Sequence, residues 1–140
     1  MAHQEARSVV TFAGGTHHES AEVLRAANRE GPHVLGFGLA SALTEPLKQR
    51  GVIVRYLRAE DFGCTMTVVR GQVKEDFHVG TVDGDDWAII AVAKVPFRDL
   101  LVDVDAALRA LPKITEIRWH FRAAHMRRDH SSTATSPLDP

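Results

Sequence analysis

The chain has 140 residues, of which 44% are hydrophobic and 25% charged, with a formal net charge of −1 and one cysteine, Cys64. That length and balance fit one globular domain and exclude a disordered polyanion or polycation. A lone cysteine excludes an internal disulfide and suits a reducing cytoplasm. The start Met1-Ala2-His3-Gln4-Glu5 lacks the basic and apolar run of a signal peptide, and no apolar stretch approaches a membrane span.

Both ends are expected to be loose. Residues 1–7 are polar, and 123–140 read as a flexible tail that ends Ser-Pro-Leu-Asp-Pro, which leaves 1–122 as a single domain. Ser8 to Ala13 suits a short strand closed by Gly14-Gly15. Glu19 to Arg29 suits a helix that Gly31-Pro32 ends. A stronger helix runs from Val34 to Arg50, where Leu35, Leu39, Leu43 and Leu47 recur every four residues. Gly51 stops it, and Pro46 should kink it or restart it near Thr44. Gly36-Phe37-Gly38 lacks the strand and Gly-Lys-Ser/Thr context of a phosphate loop.

The centre reads as strands. Val52 to Leu57 is β-rich, and Cys64, Met66 and Val68 alternate with Thr65 and Thr67. Arg70-Gly71-Gln72 is a turn. Val73, Phe77 and Val79 then oppose Lys74, Asp76 and His78, and Asp83-Gly84-Asp85 turns again. Trp87 to Val95 is apolar on both faces, as a central strand is. Asp103 is placed to cap a helix through Leu111. A last strand follows, with Ile117, Trp119 and Phe121 inward and Glu116, Arg118 and His120 outward. The fold class is therefore α+β, an antiparallel sheet of four to six strands with helices on one face. Leu39, Leu43, Met66, Phe77, Ile89, Val92, Leu108, Ile117 and Trp119 are the expected core.

Chemistry is hard to find. His17-His18-Glu19 is adjacent rather than spaced, and His120, His125 and His130 recur every five residues, which matches neither helix nor strand. Cys64 lies in phase with Met66 and Val68 as a buried thiol, on the face opposite His78. Ser8 and Ser41 lack nucleophile surroundings. The sequence thus predicts no catalytic residue, no metal and no cofactor.

Charge is uneven. Residues 1–59 carry +2, 60–105 carry −6 and 106–140 carry +3. Glu60, Asp61, Glu75, Asp76, Asp83, Asp85 and Asp86 lie at expected turns or strand edges, with Trp87 beside them, most simply a core residue and otherwise a contact anchor. They form a candidate partner-binding face for a basic protein. No basic stripe invites nucleic acid, and no membrane partner is expected.

From about Leu35 to Phe121 the chain carries a helix ending Leu47-Lys48-Gln49-Arg50-Gly51, a strand, and Ala59-Glu60-Asp61-Phe62-Gly63-Cys64 opening the next. A hairpin, the Gly84-Asp85-Asp86-Trp87-Ala88-Ile89 strand, a helix and Ile117-Arg118-Trp119 follow. This order resembles the small bacterial immunity proteins of contact-dependent growth inhibition and polymorphic toxin systems. In that group an aromatic often follows the glycine of Glu-Asp-Phe-Gly, whereas here it is Cys64. The resemblance implies a cytoplasmic protein that binds a cognate toxin domain and blocks it. Such toxins are often nucleases, whose basic grooves would meet an acidic inhibitor face. Two other classes stay open: a small enzyme or ligand-binding domain with a hidden pocket, and a homodimeric structural or regulatory subunit joined at a sheet edge.

Overall fold

A computed structural model describes residues 6–19, 36–60, 62–83, 86–129 and 132–140. The strands are β1 (Val9–Ala13), β2 (Ile53–Glu60), β3 (Gly63–Arg70), β4 (Val73–Asp83), β5 (Asp86–Ala91) and β6 (Thr115–His120). The helices are α1 (Phe37–Lys48), α2 (Arg98–Ala110) and the short α3 (Arg122–Met126), with a 3-10 turn at Gly15–His18. The six strands form one sheet in the order β2-β3-β4-β5-β1-β6, and every neighbouring pair is antiparallel. This is the α+β architecture expected from the sequence. The expected helix over Glu19 to Arg29 lies outside the described residues beyond Glu19 itself. Among the described residues no helix is long and apolar enough to cross a membrane.

Alternation sets the faces. Cys64, Met66 and Val68 of β3, Phe77 and Val79 of β4, Trp87 and Ile89 of β5, Val10 and Phe12 of β1, and Ile117 and Trp119 of β6 share the face covered by α1 and α2. α1 adds Leu39, Leu43 and Leu47 at four-residue spacing. α2 adds Leu100, Leu101, Val104, Ala107 and Leu108. On β2 the inward residues are Val54 and Leu57, three apart. The register shift between Val54 and Tyr56 inserts Arg55 and makes that spacing possible.

α1 runs unbroken through Pro46, which sits in its last turn and removes a single backbone donor. Gly51 N–H donates to Lys48 O and Val52 N–H to Leu47 O, both at 3.0 Å, with Gly51 at φ 82°. That is a Schellman stop, sealed by the buried Val52.

Three expectations are corrected. Val92 is 40% exposed because it continues the outer-face phase of Ile90, opposite the inward Ile89 and Ala91, while its N–H still donates to Asp76 O at 3.0 Å. Asp103 caps nothing: α2 begins at Arg98, and Asp103 lies buried within it, where Arg50 and Arg70 both donate to its carboxylate. His120 points to the outer face as expected but is buried there, sharing a 2.6 Å hydrogen bond with Thr11 Oγ1. Toward the ends, several described residues contact the domain. Arg7 and Ser8 are buried, α3 forms, and Ala134 pairs with Trp119 at the β6 edge.

Candidate binding surface at the acidic end of the sheet

In an antiparallel meander, alternate turns fall at opposite ends. The β2–β3 and β4–β5 turns therefore share one end, and Gly71-Gln72, between β3 and β4, lies at the other. Glu60 pairs with Gly63, Cys64 with Val79, and Asp83 with Asp86. The β4–β5 hairpin thus runs on past the first turn from Gly80 to Asp83, roughly 10 Å at strand rise. Its described tip carries exposed Thr81, Val82 and Asp86.

The first turn leans onto the second. A Cβ on Gly80 would lie 2.5 Å from the Phe62 carbonyl oxygen, so only glycine lets that backbone cross β4. Phe62 is half-exposed, and its ring meets the His78 ring edge-on, with centroids 4.4 Å apart. Beneath it runs a polar chain on the outer face. Arg58 Nε donates to Glu60 Oε1 at 2.9 Å, Thr65 Oγ1 donates to the same oxygen at 3.2 Å, and Thr65 Oγ1 lies 3.1 Å from His78 Nδ1. With the threonine proton directed to Glu60, Nδ1 carries the imidazole proton and Nε2 is left as an acceptor. The Arg58 hydrogen bond holds Glu60 below the usual carboxylate range. Burial pulls His78 below its ordinary value, against the pull of Glu60 and Asp76, so the neutral ring is favoured.

The candidate residues do not all assemble. Glu60 and Asp86 flank the shared end, and the Asp83 backbone pairs opposite Asp86. Asp61 and Asp85 lie outside the described residues. Asp76 sits on the outer face, where Thr67 Oγ1 donates to it. Glu75 turns the other way. It is in phase with Phe77 and Val79, and its carboxylate accepts the Phe97 N–H at 3.0 and 3.1 Å, anchoring the start of α2. Burial raises its pKa. Trp87 is fully buried and donates from Nε1 to Thr16 Oγ1 at 3.2 Å, so it is a core residue and no surface anchor.

Sequence reasoning missed the exposed apolar partners of the acids, Phe62 and Val82, at 50% and 56% exposure. Phe62 carried a usable signal: an aromatic inside a turn has no strand phase to bury it. Elsewhere, Cys64 is buried with its thiol pKa raised by desolvation. Among the described residues no three His, Cys, Asp or Glu side chains gather at one point. No family model, curated protein or solved structure matches this chain.

Proposed function

We propose that the chain is an immunity-type binding module that holds a cognate toxin domain through the acidic end of its sheet. One observation carries this reading: the β2–β3 and β4–β5 turns share an end at which Phe62, Val82 and Asp86 are exposed. Exposed apolar groups together with an exposed carboxylate suit a protein surface that offers cations and an apolar pocket. The charges speed encounter, and the apolar groups retain the complex. Asp61 and Asp85, outside the described residues, enter the proposal on their place in the sequence alone. The module works by occupancy and performs no chemistry itself. A nuclease with a basic groove is the partner class that fits best, and a buried free thiol suits action in the cytoplasm.

The test is capture with the whole chain as bait, followed by co-expression. A captured protein whose toxicity this chain relieves, with relief weakened by Asp86→Lys, is the expected result. Relief untouched by Asp86→Lys and by Phe62→Ala would reject this end of the sheet. Absence of any toxic partner would reject the immunity reading.

A further inference from the structure

Charge is uneven along the strands. β5 begins at exposed Asp86 and ends six residues on at Ala91, roughly 17 Å away at strand rise. Residues 92–97 then form a loop at the far end of the sheet and lead into α2. Lys94 in that loop and Lys74 at the start of β4 are exposed, and neither forms an ion pair among the described residues. At the same end Arg50 and Arg70, partly exposed, share the one Asp103 carboxylate, which leaves a positive charge in excess. The exposed Asp99, in the first turn of α2, offsets part of this. The loop is pinned from several sides. Arg122 Nη1 donates to Ala91 O and Val92 O, both at 3.2 Å, Val92 N–H donates to Asp76 O, and Phe97 N–H to Glu75. Pro96 is buried, yet Val95 stands 89% exposed beside Lys94. A loop already fixed in place loses little freedom on docking.

The two ends of the molecule complement each other. One offers Asp86 with exposed Phe62 and Val82, and Asp61, Asp83 and Asp85 belong to the same turns by sequence. The other offers cations with exposed Val95. A two-fold axis through either end would set like charge on like, whereas a head-to-tail contact sets each end on its opposite. We propose that a second copy of this chain docks head to tail, with its loop 92–97 seated on the acidic end against Phe62 and Val82. Each patch is small, so the contact is weak and grows with concentration, and its open repeat gives pairs and then short chains. A second copy covers the acidic end until a tighter partner displaces it. No toxin enters this assembly, so it stands or falls apart from the immunity reading.

The test uses the full chain alone, by sedimentation velocity over a concentration series. The native chain should associate at low salt, and at least about tenfold more weakly at about 0.3 M salt, because the attraction is between exposed charges. One variant blunts the basic end with Lys94→Ser and Val95→Ser, and another blunts the acidic end with Phe62→Ser and Asp86→Ser. All four side chains are exposed, so both variants should fold, which thermal unfolding checks. Each variant alone should be monomeric. Their equimolar mixture keeps one intact contact, basic end of one on acidic end of the other, and should form pairs that do not grow. A native chain that is monomeric at low salt, a blunted variant that still associates, or a mixture that stays monomeric or grows beyond pairs would each overturn the proposal.

Discussion

The Asp103 carboxylate, buried in α2, accepts a hydrogen bond from Arg50 Nε at 2.9 Å across 53 positions of sequence. Arg70, at the end of β3, donates to its other oxygen. One acid thus joins the end of α1, the end of β3 and the middle of α2. The arginines are partly solvated while the aspartate is not, so the desolvation cost falls on the acid alone.

That asymmetry predicts an order of stabilities. Removing both arginines, with Arg50→Ala and Arg70→Ala together, leaves a buried carboxylate unpaired and should cost about 3–5 kcal/mol. Either single change should cost much less, because the other guanidinium remains. Asp103→Leu should be milder than the double variant, since both arginines can turn to water. Urea unfolding at constant m-value measures all four. A Leu variant less stable than the double arginine variant would contradict this account.

Most of the fold was legible because period-2 and period-3.6 phases are set by burial. Eight of the nine expected core residues are buried, and the exception, Val92, lies one residue past the end of β5. What escaped depends on groups that meet only in space. Asp103 looks like a cap because a helix-starting acid and a buried acid in mid-helix are the same letter, and its partners lie 53 and 33 residues away. Glu75 looks like a surface residue beside an acidic turn, yet strand parity sends it inward, while Trp87 is buried as its simpler reading as a core residue has it. Parity could have revealed Glu75, which shares the phase of Phe77. No local signal reveals that Thr16 awaits the Trp87 N–H.

Gly36 and Gly38, which weaken the helix in sequence terms, have a spatial reason. The buried Glu19 carboxylate accepts Gly36 N–H at 2.7 Å and Leu39 N–H at 2.6 Å, capping α1 from outside. A Cβ on Gly38 would fall 2.4 Å from His18 O and 2.6 Å from Glu19 Oε2. In an open helix, Gly→Ala gains about 1 kcal/mol. Here Gly38→Ala should instead destabilise, by about 1–3 kcal/mol, as overpacking does. Glu19→Gln loses the charge and turns one of the two accepting oxygens into a donor facing a backbone N–H, so it should cost about 1–3 kcal/mol. Thermal unfolding decides the sign, and a stabilised Gly38→Ala would show that the cap yields freely.

Stability should also depend on pH through His78. Its folded pKa lies below the ordinary 6.5, so on acidification the unfolded chain takes up the proton first. The stability from the neutral ring is present above about 6.5 and is lost as pH falls from there through the folded pKa. Glu75 acts in the opposite sense. Its pKa is raised above 4.5, so its contribution is fully present below that value and fades as pH rises through the folded pKa. His78→Asn should flatten the loss below 6.5, and Glu75→Gln should leave that loss unopposed. Urea titrations from pH 7.5 to 5 measure both, and a His78→Asn profile parallel to the native one would remove His78 from the balance.

At the acidic end, charge and apolar contact should separate kinetically. Asp86 is exposed at the start of β5, where reversal to lysine alters long-range attraction while costing the fold under about 1 kcal/mol. Against a partner captured in the test of the proposed function, Asp86→Lys should slow association, more so at low salt, because screening shortens the reach of charge to about 8 Å at physiological strength. Phe62 should act otherwise. Half its surface is already in water, so truncation costs little in folding, but a partner pocket that takes the ring would lose its anchor. Phe62→Ala should therefore speed dissociation by about tenfold, equivalent to about 1.4 kcal/mol, with association nearly unchanged. Trp87→Phe serves as the control: it disturbs the buried Thr16 contact and lowers stability, yet leaves both rates alone. Stopped-flow association and surface dissociation at two salt concentrations separate the three. A Phe62→Ala variant that dissociates at the native rate would leave the acids as steering groups with no anchor at this end of the sheet.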